Sequence, residues 1–316
     1  LKANFQLQIT PDLVNGGGVA GTTATSTTTA TGTGTPAAAT YTTKTSPISN
    51  AQQAFLGLSG NFGEVQAGRV NSNALDAWGV GSVFGTALGS GYGSNGNIHT
   101  RYSATATATS MSAPTRFNGA VRYISPEFNG FSGSLLVVPK GASDKVQAVT
   151  DFGLKYANGP LNVMFSSQEI KQYGTLATST GSFTTGYDAV TTYASPLADG
   201  KSNKLNTLAA NYTFGAATVY GAVWTEKQNT TTEVNVAGQM IGGKYTMGAV
   251  SLLASYGKSN DKTASNVDKK IYGLGADYAL SKRSKLFARY ENRDGNTTSA
   301  ANDVTKVTSI GIMHTF

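Results

Sequence analysis

Cysteine is absent from the 316 residues, and histidine occurs only twice, as His99 and His314. No disulfide framework or thiolate metal site can form, and no His-based triad or metal cluster is in view. Charge is sparse too: Asp, Glu, Lys and Arg make up 13% of the chain, about half the usual share. The chain has no apolar run long enough for a transmembrane helix, and its mean hydropathy is -0.18. Lys and Arg never run beyond two in a row, so the net charge of +7 is scattered. That argues against a nucleic-acid partner. Neither a cofactor nor an enzymatic activity is expected. A secretory leader is also missing; Leu1 opens in mid-pattern, and we expect that something upstream was removed.

The residues that are abundant suit strands and turns. There are 38 Gly, 15 Tyr and 13 Phe, with much Thr, Ala, Ser and Asn. Disorder would account for Gly and Thr but not for so many aromatics. Alternating segments of about ten residues, the length of a barrel strand, recur from end to end. Phe152, Leu154 and Tyr156 oppose Asp151, Gly153 and Lys155, and Val250, Leu252, Ala254 and Tyr256 oppose Ser251, Leu253, Ser255 and Gly257. The final segment puts Thr308, Ile310, Ile312, His314 and Phe316 on one face. Successive strand side chains point to opposite faces, so each segment has one apolar and one small or polar face. A β-sandwich alternates in the same way, and alternation alone leaves both architectures open.

Two further patterns favour a barrel. Aromatics gather beside short turns, as Tyr123 and Phe128, Tyr156, Tyr212 and Phe214, and Tyr278 do. Amphipathic rings prefer membrane–water boundaries. Connections also alternate in length. Short turns near 126–130, 158–159, 215–216 and 281–284 take turns with long polar stretches at 11–50, 71–115, 172–203, 228–235, 259–268 and 294–303. Short turns on one side and long loops on the other mark an outer-membrane barrel. The Gly, Ala and Thr-rich stretch 16–43 reads as an external loop rather than a linker, because strand-like segments flank it. The expectation is an all-β, antiparallel transmembrane β-barrel, a single domain over 1–316 with about fourteen strands.

Several blocks resemble the Gram-negative general-diffusion porins, in particular their beta-proteobacterial branch. Asn50-Ala-Gln-Gln-Ala-Phe-Leu-Gly-Leu-Ser-Gly-Asn-Phe-Gly-Glu-Val-Gln-Ala-Gly-Arg69 is similar to their fourth and fifth strands, and Leu1 to Gln8 to their third. Arg122-Tyr-Ile-Ser-Pro-Glu-Phe-Asn-Gly-Phe-Ser-Gly133 resembles the strand–turn–strand after the constriction loop. Leu280 to Ser284 and the Gly311 to Phe316 ending resemble the last turn and last strand. The resemblance implies a sixteen-stranded homotrimer in the bacterial outer membrane, with two strands expected before Leu1. It implies contact with outer-membrane lipid and lipopolysaccharide, and passage of small anions and hydrophilic solutes.

The resemblance also implies site residues. Segment 71–115 is the third loop, folded into the lumen as a constriction. Arg116 stands where the family places a constriction arginine. With Phe117, Gly119, Val121 and Tyr123 towards lipid, Arg116, Asn118, Ala120 and Arg122 would face the lumen. Arg69 is a second basic residue there, Asp76 the opposing loop carboxylate, and Arg101 adds positive field from the loop. Lys155, Arg289 and Lys2 are expected wall charges at other depths, and Phe316 the mark read during assembly. Gln52 and Gln53 stand where relatives often carry arginine, so a weak anion preference is expected. The alternatives are an adhesin or structural surface barrel using its Thr-rich loops, and a substrate-specific channel.

Overall fold

Each alternating segment forms a strand paired with its neighbours in sequence. The computed structural model describes residues 1–11, 48–92, 98–99, 115–140, 147–172, 200–228, 234–264, 266, 268–294 and 304–315. The strands are β1 (Lys2–Pro11), β2 (Ile48–Gly60), β3 (Gly63–Asn71), β4 (Arg116–Ile124), β5 (Phe131–Val138), β6 (Gln147–Asn158) and β7 (Leu161–Gln172). They continue as β8 (Ser202–Phe214), β9 (Ala217–Gln228), β10 (Val234–Met247), β11 (Val250–Asp261), β12 (Lys269–Ala279), β13 (Ser284–Asp294) and β14 (Val304–His314). A nine-residue helix, α1 (Asn73–Gly81), follows β3. The strands make one 14-stranded antiparallel sheet in sequence order, and no ladder joins β1 to β14 among the described residues. No described helix is long and apolar enough to cross a membrane.

Burial is inverted relative to a sandwich core. Leu56 (73% exposed), Ile241 (59%) and Leu274 (56%) lie open on one face of the sheet. On the other, Asp151, Glu226 and Glu291 are fully buried. Apolar surface left exposed on this scale is stable only against lipid, and strands whose backbone groups bond to neighbours on both sides, as in β2 to β13, tolerate that setting. Along β11, Leu252 faces out and Leu253, one residue on, is buried. Tyr123, Tyr212, Phe214, Tyr245 and Tyr278 ring the short-turn end of the outer face. The inner face wraps around residues 72–92 and 98–99, which touch strands from β5 to β13.

Three features differ from the sequence expectation. The helix α1 lies inside what read as loop. A connection at 139–146, which the sequence rhythm did not separate, divides β5 from β6. Phe117 does not face lipid; it packs on an inner-face cluster of Val70, Ala120, Leu136, Val138, Val149 and Ile170. Its strand breaks step at Gly119, which has φ +60°, and β3 is bulged between Gly68 and Val70. Gly68 has φ +136°, and a Cβ there would meet the Ala54 carbonyl at 2.4 Å, so only glycine permits the bulge.

Candidate functional site in the barrel lumen

The inner segment starts at Ser72, whose Oγ accepts from the Leu75 N–H at 3.0 Å and caps α1. The next residue ties the helix to the wall. The Asn73 N–H donates to Asp151 Oδ2 at 2.7 Å, and Asn73 Nδ2 donates to the Asp151 carbonyl at 2.6 Å. Asn73 Oδ1 accepts from Arg122 Nη2 at 2.7 Å and from Ser134 Oγ at 2.6 Å. At the far end of α1, Asn211 Nδ2 donates to the Val80 carbonyl at 2.9 Å. Beyond it, the Gly89 and Gly91 N–H groups donate to Glu291 Oε2 at 2.6 and 3.1 Å, and Ser255 Oγ donates to the Gly89 carbonyl at 2.6 Å. A Cβ at Gly273 would meet that carbonyl at 2.2 Å, so the wall is bare where the segment crosses it.

Apolar packing completes the anchorage. Trp78 is fully buried among Ala74, Leu205, Ala209, Ala222, Trp224 and Met240. Its ring lies 4.6 Å from His99, 5.5 Å from Tyr92 and edge-on to Trp224 at 5.3 Å. His99 Nε2 meets Thr207 Oγ1 at 2.7 Å. Burial pushes the His99 pKa down to about 3, so the ring is neutral here, and burial raises that of the Tyr92 phenol.

Between this segment and the wall of β1 to β7 lies a cavity of about 640 Å³. Gln8, Gln53, Asp76, Arg116, Arg122 and Lys155 all reach it. Asp76 Oδ2 and Arg122 Nη2 are 2.5 Å apart, so loop carboxylate and wall guanidinium offset each other. Arg116 and Lys155 have no ion pair among the described residues. Arg69 and Asn118 do not line this cavity. Arg69 Nη1 donates to Asn118 Oδ1 at 2.7 Å beside the bulge. Arg289 pairs with Asp277 at 2.5 Å and lies over the Phe84 and Phe287 rings. Arg101 and Phe316 lie outside the described residues. Sequence reasoning missed Asp151 and Glu291; their one signal was an acid on the small, polar face of an alternating strand.

A sheet with an apolar outer face, a polar inner face and an anchored segment beside an open cavity defines a water-filled channel of the outer-membrane β-barrel class. The sequence pattern of the Gram-negative porins matches residues 1–298, and the chain belongs to that family. It is 28% identical over 285 residues to a major outer membrane protein P.IB of Neisseria lactamica, spanning 84% of this chain and 72% of that one. Its fold is similar to that of an anion-selective porin from Comamonas acidovorans, with TM-score 0.63, 21% identity, and 85% and 79% of the two chains covered. It is also similar to OmpT of Vibrio cholerae in a trimer form, with TM-score 0.57, 18% identity, and 83% and 79% covered. The protein is an outer-membrane porin, a passive channel and not an enzyme. Nothing in these likenesses favours the adhesin alternative.

Proposed function

We propose that the channel passes small hydrophilic solutes with a modest preference for anions, and that it does so as a homotrimer set in outer-membrane lipid and lipopolysaccharide. In this reading residues 1–316 are a single barrel domain and 71–115 is its constriction loop. One observation carries the anion preference: Arg122 offsets Asp76, whereas Arg116 and Lys155 reach the same cavity with no ion pair among the described residues. Two opposite charges 4 Å apart interact by about 1 kcal/mol in bulk water and more where water is confined. Each cation is therefore worth several-fold in anion over cation permeability. The Arg69 and Asn118 pair does not line this cavity, and in this reading it has a lesser role. Ion pairs and neutral Gln8 and Gln53 on the remaining wall keep the preference weak.

Zero-current potentials across a planar bilayer in asymmetric KCl test this reading. Arg116→Ala and Lys155→Ala are each expected to lower the chloride-to-potassium permeability ratio several-fold, and the double variant to bring it near one. Unchanged potentials in both single variants would remove these residues from the filter. Native mass spectrometry in mild detergent reads the trimer directly, and a monomer as the major species would overturn it.

A further inference from the structure

The helix α1 turns one face to the cavity, made of Leu75, Asp76, Gly79 and Val80; positions one turn apart share a face of a helix. Asp76 is paired with Arg122. The rest of that face is apolar or bare. Val80 packs one side against the Trp78 cluster and shows the other to the cavity. Gly79 is exposed, and a Cβ there would meet nothing within 4 Å. Packing therefore does not require this glycine, and inside a helix it is less stable than alanine. What the missing side chain leaves is room, a recess between Leu75 and Val80 that opens on the cavity.

This recess lies beside a cation. Asn211 of β8 holds the Val80 carbonyl at 2.9 Å, which sets the end of α1 over β7 and β8. Met164 of β7 lines the cavity there and stands directly opposite Lys155 of β6, with Cβ atoms about 5 Å apart. Lys155 makes no ion pair among the described residues. Arg116 reaches the same cavity, and its covered Nε has no hydrogen-bond partner among the described residues. An apolar recess beside two uncompensated cations fits an anion with an apolar body. Chloride or inorganic phosphate would meet the cations and leave the recess to water. A neutral apolar solute would fill the recess and leave the cations unrelieved.

We propose that the constriction takes carboxylates with an apolar body of a few carbons or one ring, the carboxylate at Lys155 and Arg116 and the body in the recess of Leu75, Gly79, Val80 and Met164. This deepens the anion preference proposed above and rests on it. The test is block of the chloride current of the full chain in planar bilayers, by acetate, propionate, butyrate, valerate and benzoate in turn, with benzyl alcohol as the uncharged control. Full withdrawal of a methylene from water is worth about four-fold in affinity. The half-blocking concentration is expected to fall about two-fold or more per added methylene, and benzoate to block about ten-fold below acetate. Benzyl alcohol should not block in that range. Gly79→Gln, which fills the recess with a polar group, and Val80→Ser should each flatten the series. Lys155→Gln should raise every half-blocking concentration and keep the slope. A flat series in the parent, a slope that survives in both recess variants, or equal block by benzyl alcohol and benzoate would each overturn the site. Such a failure leaves the anion preference standing, because that preference is read separately from the zero-current potentials of Arg116→Ala and Lys155→Ala.

Discussion

At the scale of single residues, the proposed anion preference turns on which charges are cancelled. Arg122 is buried and holds both Asp76 and Asn73. Arg122→Ala is expected to cost about 3–5 kcal/mol, read by urea unfolding in lipid vesicles. It should also shift the zero-current potential towards cations, since Asp76 then stands alone. Asp76→Asn should move it the opposite way. His99 supplies a pH dependence. Its pKa is about 3 in the packed lumen, against about 6.5 when released. Above pH 6.5 both states are neutral and the packing carries no penalty. As pH falls below that, the released state takes up a proton that the packed state refuses. Packing should therefore weaken by about 1.4 kcal/mol per pH unit between roughly 6.5 and 3. Acid unfolding of a His99→Phe variant should lack this slope, and an identical slope would exclude His99 as its source.

At the scale of elements, the anchored segment 72–99 depends on two wall carboxylates. Glu291→Gln and Asp151→Asn keep size but weaken charge-assisted bonds to main-chain N–H groups. Each is expected to cost about 1–3 kcal/mol and to raise open-channel current noise; quiet single-channel traces in both would show that packing alone holds the segment. Trp78→Ala should cost about 3–5 kcal/mol. This element is also where the sequence was least legible. A helix of nine residues carries little periodicity, and only Ser72 ahead of Ala74 and Leu75 announced its start. Asp151 and Glu291 receive bonds from backbone distant in sequence, which no local pattern encodes. The wall strands were legible because one residue in two had to suit lipid. Phe117 broke that rule because Gly119 and the Gly68 bulge shift the phase of β3 and β4.

At the scale of the molecule, the order of environments is lipid, sheet, anchored segment, water. Neighbouring residues on one strand therefore answer to different solvents. Ile241→Lys is expected to cost about 2–4 kcal/mol, read by unfolding in vesicles of matched thickness, because its side chain lies exposed on the outer face at the middle of β10. Leu253 lies buried on the inner face, where an added charge would meet the inner segment and water instead. Leu253→Lys should thus change conductance more than stability, and the reverse ranking would mean that the two faces are misassigned.

The anchors of the inner segment grip its main chain: Asp151 takes the N–H of Asn73, Glu291 those of Gly89 and Gly91, and Asn211 and Ser255 bond the carbonyls of Val80 and Gly89. A grip of that kind is indifferent to most side chains it holds. Residues of the segment whose side chains bond no part of the wall can drift from one lineage to the next without loosening the frame, whereas Asp76, paired with Arg122, is tied to it. Permeation preference is thereby free to evolve on a fixed scaffold, one substitution at a time.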